Sequence, residues 1–217
     1  MKWLRRENTL DVARILDTLD QMFPDAHCEL NHRNAYELCV AVVLSAQTTD
    51  VSVNKATPVL FEKYPTAKDL ACAKQEDVEQ CIKKIGLYRS KAKNIIGLAQ
   101  YAVEHFDGQI PDTMEQLIQL PGVGRKSANV VLSVCFGIPA FAVDTHVERV
   151  SKRLGFARKN DTVWDVERKL MKKIPKSRWN DMHHKFIFFG RYFCKAKNPS
   201  CKDCPLVDIC KEKEKKL

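Results

Sequence analysis

Lys126 and Asp144 are the residues of this chain whose setting most directly suggests a reaction. Lys126 lies in "LPGVGRKSANVVL" (120–132), where Gly122 and Gly124 flank Val123 just before an apolar run at helical spacing. Glycines let a backbone turn sharply and approach a ligand closely. The unpaired amides and positive dipole end of the helix that follows favour a phosphate oxygen. Those amides and Arg125 satisfy an anion without Lys126. The lysine is therefore either one more phosphate contact or a nucleophile. A helix amino terminus, a neighbouring arginine and partial burial all disfavour an ammonium, and a free amine attacks carbon to form a Schiff base. That chemistry needs a carboxylate to steady a developing cation or manage protons, and Asp144 in "VDTHVERV" (143–150) supplies one. Asp144 also reads as a helix N-cap. The two roles are compatible, because capping holds a carboxylate ionised and oriented. The plainer alternative for the glycines is a tight turn between packed helices.

A second group is made of thiols. Cys28, Cys39, Cys72, Cys81 and Cys135 sit among apolar or helical segments as core or surface residues. The other four fall in "CKAKNPSCKDCPLVDIC", as Cys194-x6-Cys201-x2-Cys204-x5-Cys210. Four thiolates in so short a stretch, in a chain without a secretory signal, read as a metal site. Zinc and a four-iron cluster both take four thiolates. Zinc sites usually pair two close-spaced knuckles, and here only Cys201 and Cys204 are that close. Spacing alone leaves the metal open. Lys195, Lys197 and Lys202 make the loop basic and suited to a phosphate.

The elements that must position these residues are helices. Apolar residues recur at three- and four-residue spacing in 10–22, 35–44, 78–85, 94–103, 128–136, 147–154 and 163–174. Strand-like alternation is hard to find, so the fold class is all-α. Thr113 with Gln116, and Thr145 with Glu148, have capping-box spacing; Pro58 is expected to begin or kink a helix. "IGLYRSKAKNII" (85–96) weakly echoes "PGVGRKSANVV" (121–131), with Gly86 opposite Gly122 and Arg89 opposite Arg125. Both stretches read as helix, tight turn, helix. At 217 residues, 45% hydrophobic and 29% charged, the chain is globular, with core enough for one large domain or two small ones. Its 36 basic residues against 27 acidic give +9, consistent with a polyanionic partner such as nucleic acid. "MKWLRRENTL" lacks the apolar stretch of a signal peptide, and no run approaches membrane-spanning length. An odd cysteine count does not suit a secreted disulfide framework, so a reducing compartment is expected.

Six stretches carry a resemblance: "LSAQTTDVSVNKAT" (44–57), "IGLYRSKAKNI" (85–95), "LPGVGRKSANVVL", "AVDTHVERV" (142–150), "HHKFIFFGRYFC" (183–194) and the four-cysteine loop. On these, and over nearly its whole length, the chain resembles the endonuclease III family, bacterial DNA glycosylase/AP lyases of the helix-hairpin-helix superfamily. The resemblance implies two helical domains with DNA bound in a cleft between them. A six-helix barrel with the helix-hairpin-helix would take 28–138, and a discontinuous iron-sulfur cluster domain 1–27 and 139–217. It implies a [4Fe-4S] cluster on Cys194, Cys201, Cys204 and Cys210, a Schiff-base lysine at Lys126 and a catalytic aspartate at Asp144. Gly122, Gly124 and Arg125 would hold the DNA backbone. Gln47 and Leu87 fall where relatives fill the gap left by a flipped nucleotide, and His146 beside the lesion pocket. Without the family these three read as a surface amide, a core leucine and a helix-start residue. Ser127 stands where many relatives place threonine and keeps the hydroxyl. The implied activity removes oxidised pyrimidines from duplex DNA and cuts the strand 3′ to the abasic site by β-elimination. The implied protein is a cytoplasmic, nucleoid-associated monomer without membrane attachment, whose partner is double-stranded DNA with a damaged pyrimidine or abasic site. Two alternatives stand beside it. A monofunctional glycosylase of the same superfamily would lack the hairpin lysine, and a non-catalytic DNA-binding module with a structural metal would not need Asp144.

Overall fold

Among the described residues, 10–217, the computed structural model holds eleven α-helices and no strand. The first six are α1 (Val12–Met22), α2 (Ala35–Leu44), α3 (Asp50–Lys63), α4 (Ala67–Ala71), α5 (Gln75–Ile82) and α6 (Tyr88–Phe106). The others are α7 (Met114–Leu117), α8 (Arg125–Cys135), α9 (Thr145–Leu154), α10 (Val163–Lys173) and α11 (Trp179–Phe188), which runs into a π-helical turn, Phe189–Phe193. None of these helices is long and apolar enough to cross a membrane. The chain divides between Ala140 and Phe141 into two units: Cys28–Ala140 alone, and Phe141–Leu217 with the described residues up to His27. Residues 1–9, which belong to the expected amino-terminal segment, lie outside the described residues.

The 28–140 unit is built round α2. Nine of its ten residues are buried, which explains why "AYELCVAVVL" is apolar on every side and not along one stripe. Helices α3, α6 and α8 pack on α2, and α4 and α5 pack on α6. Asn34 caps α2 by accepting the Glu37 N–H, Thr49 caps α3 from Ser52, and Thr113 caps α7 from Gln116. Helix α3 continues through Pro58, which therefore does not begin it. Pro58 lies on the exposed side of the helix, where the Asn54 carbonyl it cannot donate to is within reach of solvent.

In the other unit, α1, α9, α10 and α11 surround a core of Ile15, Leu19, Phe141, Val147, Val150, Phe156, Val166, Leu170, Phe186 and Phe189. Asp20 ties α1 to α11, accepting from Arg178 at 2.8 Å and Lys185 at 2.6 Å. The cap of α9 is Asp144, not Thr145, so the expected Thr145–Glu148 box is one residue late. The Asp144 carboxylate already takes the amides of His146 and Val147.

Candidate active site and thiol-lined cavity

The hairpin between α7 and α8 turns at Gly122, with φ +81°. A Cβ there would strike Val43 Cγ1 at 2.9 Å and Asn94 Cβ at 3.1 Å. The turn is pressed onto α2 and α6 so closely that only glycine fits. Gly124 has a different reason. Nothing lies within 4 Å of where its Cβ would be, and as N-cap of α8 it contributes no side chain to the helix start. No side chain therefore caps this helix start, an end whose amides and dipole favour an anion. Arg125 and Lys126 are the first two residues of α8, and both are exposed. The partial burial expected for Lys126 is not found, because this helix end lies at the surface. Burial raises the pKa of the Cys28 thiol, and the nearby Lys126 opposes that shift.

Gln47 and Leu87 both stand at positive φ, 54° and 61°, a conformation that costs an ordinary side chain about 1–2 kcal/mol. Leu87 is 63% exposed, which rules out the core reading. A strained, solvent-facing leucine at the mouth of a helix is an arrangement that folding alone does not favour. The echo between the two hairpins keeps its order but not its register. The left-handed residue is Leu87 in one and Gly122 in the other, one position off the Gly86–Gly122 pairing. Beside these turns lies a residue that sequence reasoning missed. Lys91 is 4% exposed, and its amine donates to Thr48 Oγ1 at 2.6 Å. Burial holds the pKa of that amine below the ordinary lysine value.

Asp144 and His146 belong to the other unit. The Asp144 Oδ1 accepts the His146 N–H at 2.9 Å and the Val147 N–H at 2.8 Å, which fixes the carboxylate at the start of α9. His146 packs against Gly190, where a Cβ would come within 2.8 Å of the histidine Cβ. Arg149, also missed from the sequence, donates to Gly190 O at 2.6 Å and to Cys194 O at 3.2 Å. The same guanidinium lies 3.4 Å from His146 Nδ1, so one side chain links the histidine to the start of the cysteine loop. Burial and the adjacent Arg153 charge lower its pKa.

The π-helical turn delivers the first thiol, with the Cys194 N–H bonded to Phe189 O at 2.6 Å. Such local widenings of a helix often serve functional sites. Cys194, Cys201, Cys204 and Cys210 line one cavity with Leu154, Phe189, Phe193 and Val207, about 430 Å³ of empty space with open solvent included. All four are free thiols. They are set round the cavity wall; no three His, Cys, Asp or Glu side chains among the described residues are grouped to hold a metal ion. Arg153 Nη1 donates to Cys194 Sγ at 3.3 Å. Burial pushes the Cys194 thiol up while Arg153 works against that shift. Four thiols, apolar walls and an N–H aimed at sulfur are a donor set that fits an iron-sulfur cluster. Lys195, Lys197 and Lys202 are exposed between these cysteines.

A family model described as HhH-GPD superfamily base excision DNA repair protein matches residues 40–176. Endonuclease III of Bacillus subtilis (strain 168) is 53% identical over 209 residues, 96% of this chain and 95% of that protein. Endonuclease III of Escherichia coli (strain K12) is 47% identical over 201 residues, 93% of this chain and 95% of its own. A solved structure of a trapped endonuclease III–DNA covalent intermediate, in an estranged-adenine complex, superposes with a TM-score of 0.90 at 57% identity. It covers 93% of this chain and 94% of that one. A thermostable thymine-DNA glycosylase at 22% identity shares the fold, with a TM-score of 0.80 over 92% of this chain and 94% of its own.

Proposed function

We propose a residue-level mechanism for this chain, which belongs to the endonuclease III family of HhH-GPD base excision DNA repair proteins. Its activity is that of a DNA glycosylase with AP lyase activity, and it binds DNA. The observation that carries the mechanism is the exposed Lys126 at the mouth of α8, beside amides that hold a phosphate without it. Gly122, Gly124 and Arg125 grip the backbone of the duplex. A damaged pyrimidine, oxidised and poorly stacked, leaves the helix at lower cost than a sound one. Gln47 and Leu87 fill the space it vacates, and His146 lies beside the lesion.

The Lys126 amine attacks C1′ of the sugar. A nitrogen–carbon bond forms as the glycosidic bond breaks, and the base departs with its electron pair and takes up a proton. Asp144, its carboxylate fixed by the cap, steadies the positive charge that develops on the sugar. Opening of the ring gives a protonated imine, which acidifies the C2′ proton. Loss of that proton expels the 3′ phosphate and cuts the strand. Water then hydrolyses the imine and restores the amine. Cys194, Cys201, Cys204 and Cys210 would hold a [4Fe-4S] cluster, whose contribution is to fix a loop with little regular structure of its own. The protein would act as a monomer, free in the cytoplasm on the DNA of the nucleoid.

Borohydride reduction tests the lysine. Wild-type protein on abasic-site DNA should become covalently linked, whereas Lys126→Ala should bind that DNA without linking. Wild-type binding without any linkage would overturn the assignment. Protein purified without air should also carry about four irons per chain; stoichiometric zinc would overturn the cluster.

A further inference from the structure

Gln47 and Leu87 belong to different turns, yet one residue holds both. Lys91 stands in the first turn of α6. Its backbone N–H donates to Leu87 O at 3.0 Å. Its side-chain amine donates to the hydroxyl of Thr48, the neighbour of Gln47, at 2.6 Å. Thr48 in turn anchors its own loop, through its N–H to Ser45 O at 3.0 Å and its hydroxyl to Ala46 O at 3.4 Å. The left-handed turn at Leu87 and the left-handed turn at Gln47 are thus joined through a single lysine.

Packing alone does not account for a lysine here. The residue is almost wholly buried, and among the described residues its ammonium faces a hydroxyl and no carboxylate. A buried cation so sparsely compensated weakens a fold relative to an apolar side chain of the same length. Its donor, by contrast, ties the loop that follows α2 to the helix that begins at the Leu87 turn, a bridge added to the packing of α2 and α6 on each other. A pair of side chains that must enter a stacked duplex gains from being fixed beforehand, because two independently moving turns would lose freedom on insertion.

We propose that Lys91 is the positioning residue that couples the Gln47 and Leu87 turns, so that both side chains enter the duplex as one preset wedge. This rests on the gap-filling role proposed above for those two residues. Lys91 acts through the turns and needs no contact with the reacting sugar.

Three substitutions test it. Lys91→Met keeps the stem and removes the donor, Thr48→Val removes the acceptor, and Thr48→Ser retains it. One substrate is a duplex with an oxidised pyrimidine and a 2-aminopurine opposite, whose fluorescence rises when the stack is opened. The other is a single strand with a preformed abasic site, which has no opposite base and no gap to fill. Lys91→Met and Thr48→Val should slow single-turnover base excision in the duplex by about ten- to a hundredfold and blunt the fluorescence rise. Strand cleavage of the single-stranded substrate should stay within about twofold of wild type, and Thr48→Ser should recover duplex excision to within about threefold. The double variant should be no slower than the slower single one, since both remove the same bond. Equal losses on the two substrates, or a full fluorescence rise in both disabling variants, overturn the proposal. Should thermal unfolding show that Lys91→Met does not fold, the Thr48 pair decides alone, since Thr48 is only half-buried. The two readings fail separately: absence of borohydride linkage in the wild type sinks the lysine chemistry, whereas the fluorescence rise reports insertion without chemistry.

Discussion

Gly122 and Gly124 stand two positions apart and serve different ends, so substitution should separate them. Gly122→Ala forces a Cβ toward Val43 and Asn94 at a left-handed φ. It should lower unfolding stability in urea by about 2–4 kcal/mol. Gly124→Ala meets open space and should leave stability within about 1 kcal/mol. It should still weaken binding of abasic-site duplex several-fold, because a methyl then stands before the helix amides. Matching urea and fluorescence-anisotropy titrations of the two variants would show whether this division holds. The glycines, the lysine in the first turn of α8 and the clustered thiols were legible because their spacing is unusual. Lys91 and Arg149 were not. A lysine or arginine on a helix reads as a solvated charge until packing shows Lys91 enclosed and Arg149 bonded to two carbonyls of another segment.

Helices were legible where the apolar stripe is unbroken and hidden where polar residues occupy core-facing positions. The buried face of α3 is Val53, Ala56, Thr57, Leu60 and Phe61, a regular stripe masked by Thr57 and by Pro58 beside it. That of α11 includes His183 and Lys185 among Trp179, Met182 and Phe186. The imidazoles in α11 carry a pH dependence. His184 lies against His183, the rings tilted at 38° with centroids 3.8 Å apart. Burial, reinforced by His27, lowers its pKa to about 4. An unfolded histidine titrates near about 6.5, so as pH falls the unfolded chain binds this proton first. The His184 contribution to stability is therefore whole above that range. It declines between the two pKa values, by an amount on the order of 3 kcal/mol, and is level below the lower one. Urea midpoints measured from pH 7 to pH 4 should fall in wild type and fall less in His184→Gln. An identical slope in both would remove His184 as the cause.

At the scale of the whole molecule, the excess of 36 basic over 27 acidic residues is the clearest property the composition carries. Each phosphate neutralised releases counterions and steepens the salt dependence by about 0.9 in log–log slope. Binding to abasic-site duplex should fall with a slope steeper than about −3; a flat response in anisotropy titrations would mean that backbone phosphates contribute little. Composition and helical spacing made the all-α class legible. They gave no sign that Arg14 pairs with Asp208, or Asp20 with Arg178, because contacts between distant segments leave no local period. Those contacts have a consequence for the order in which the protein can be made. The unit from Cys28 to Ala140 is contiguous and can close once its last helix has left the ribosome. Helix α1, synthesised earlier, has no partner until α9, α10 and α11 follow, a wait of roughly 6–30 s at ordinary translation rates. For that interval Ile15, Leu16 and Leu19 are bare apolar surface on a nascent chain, the stretch at which a holding chaperone should act.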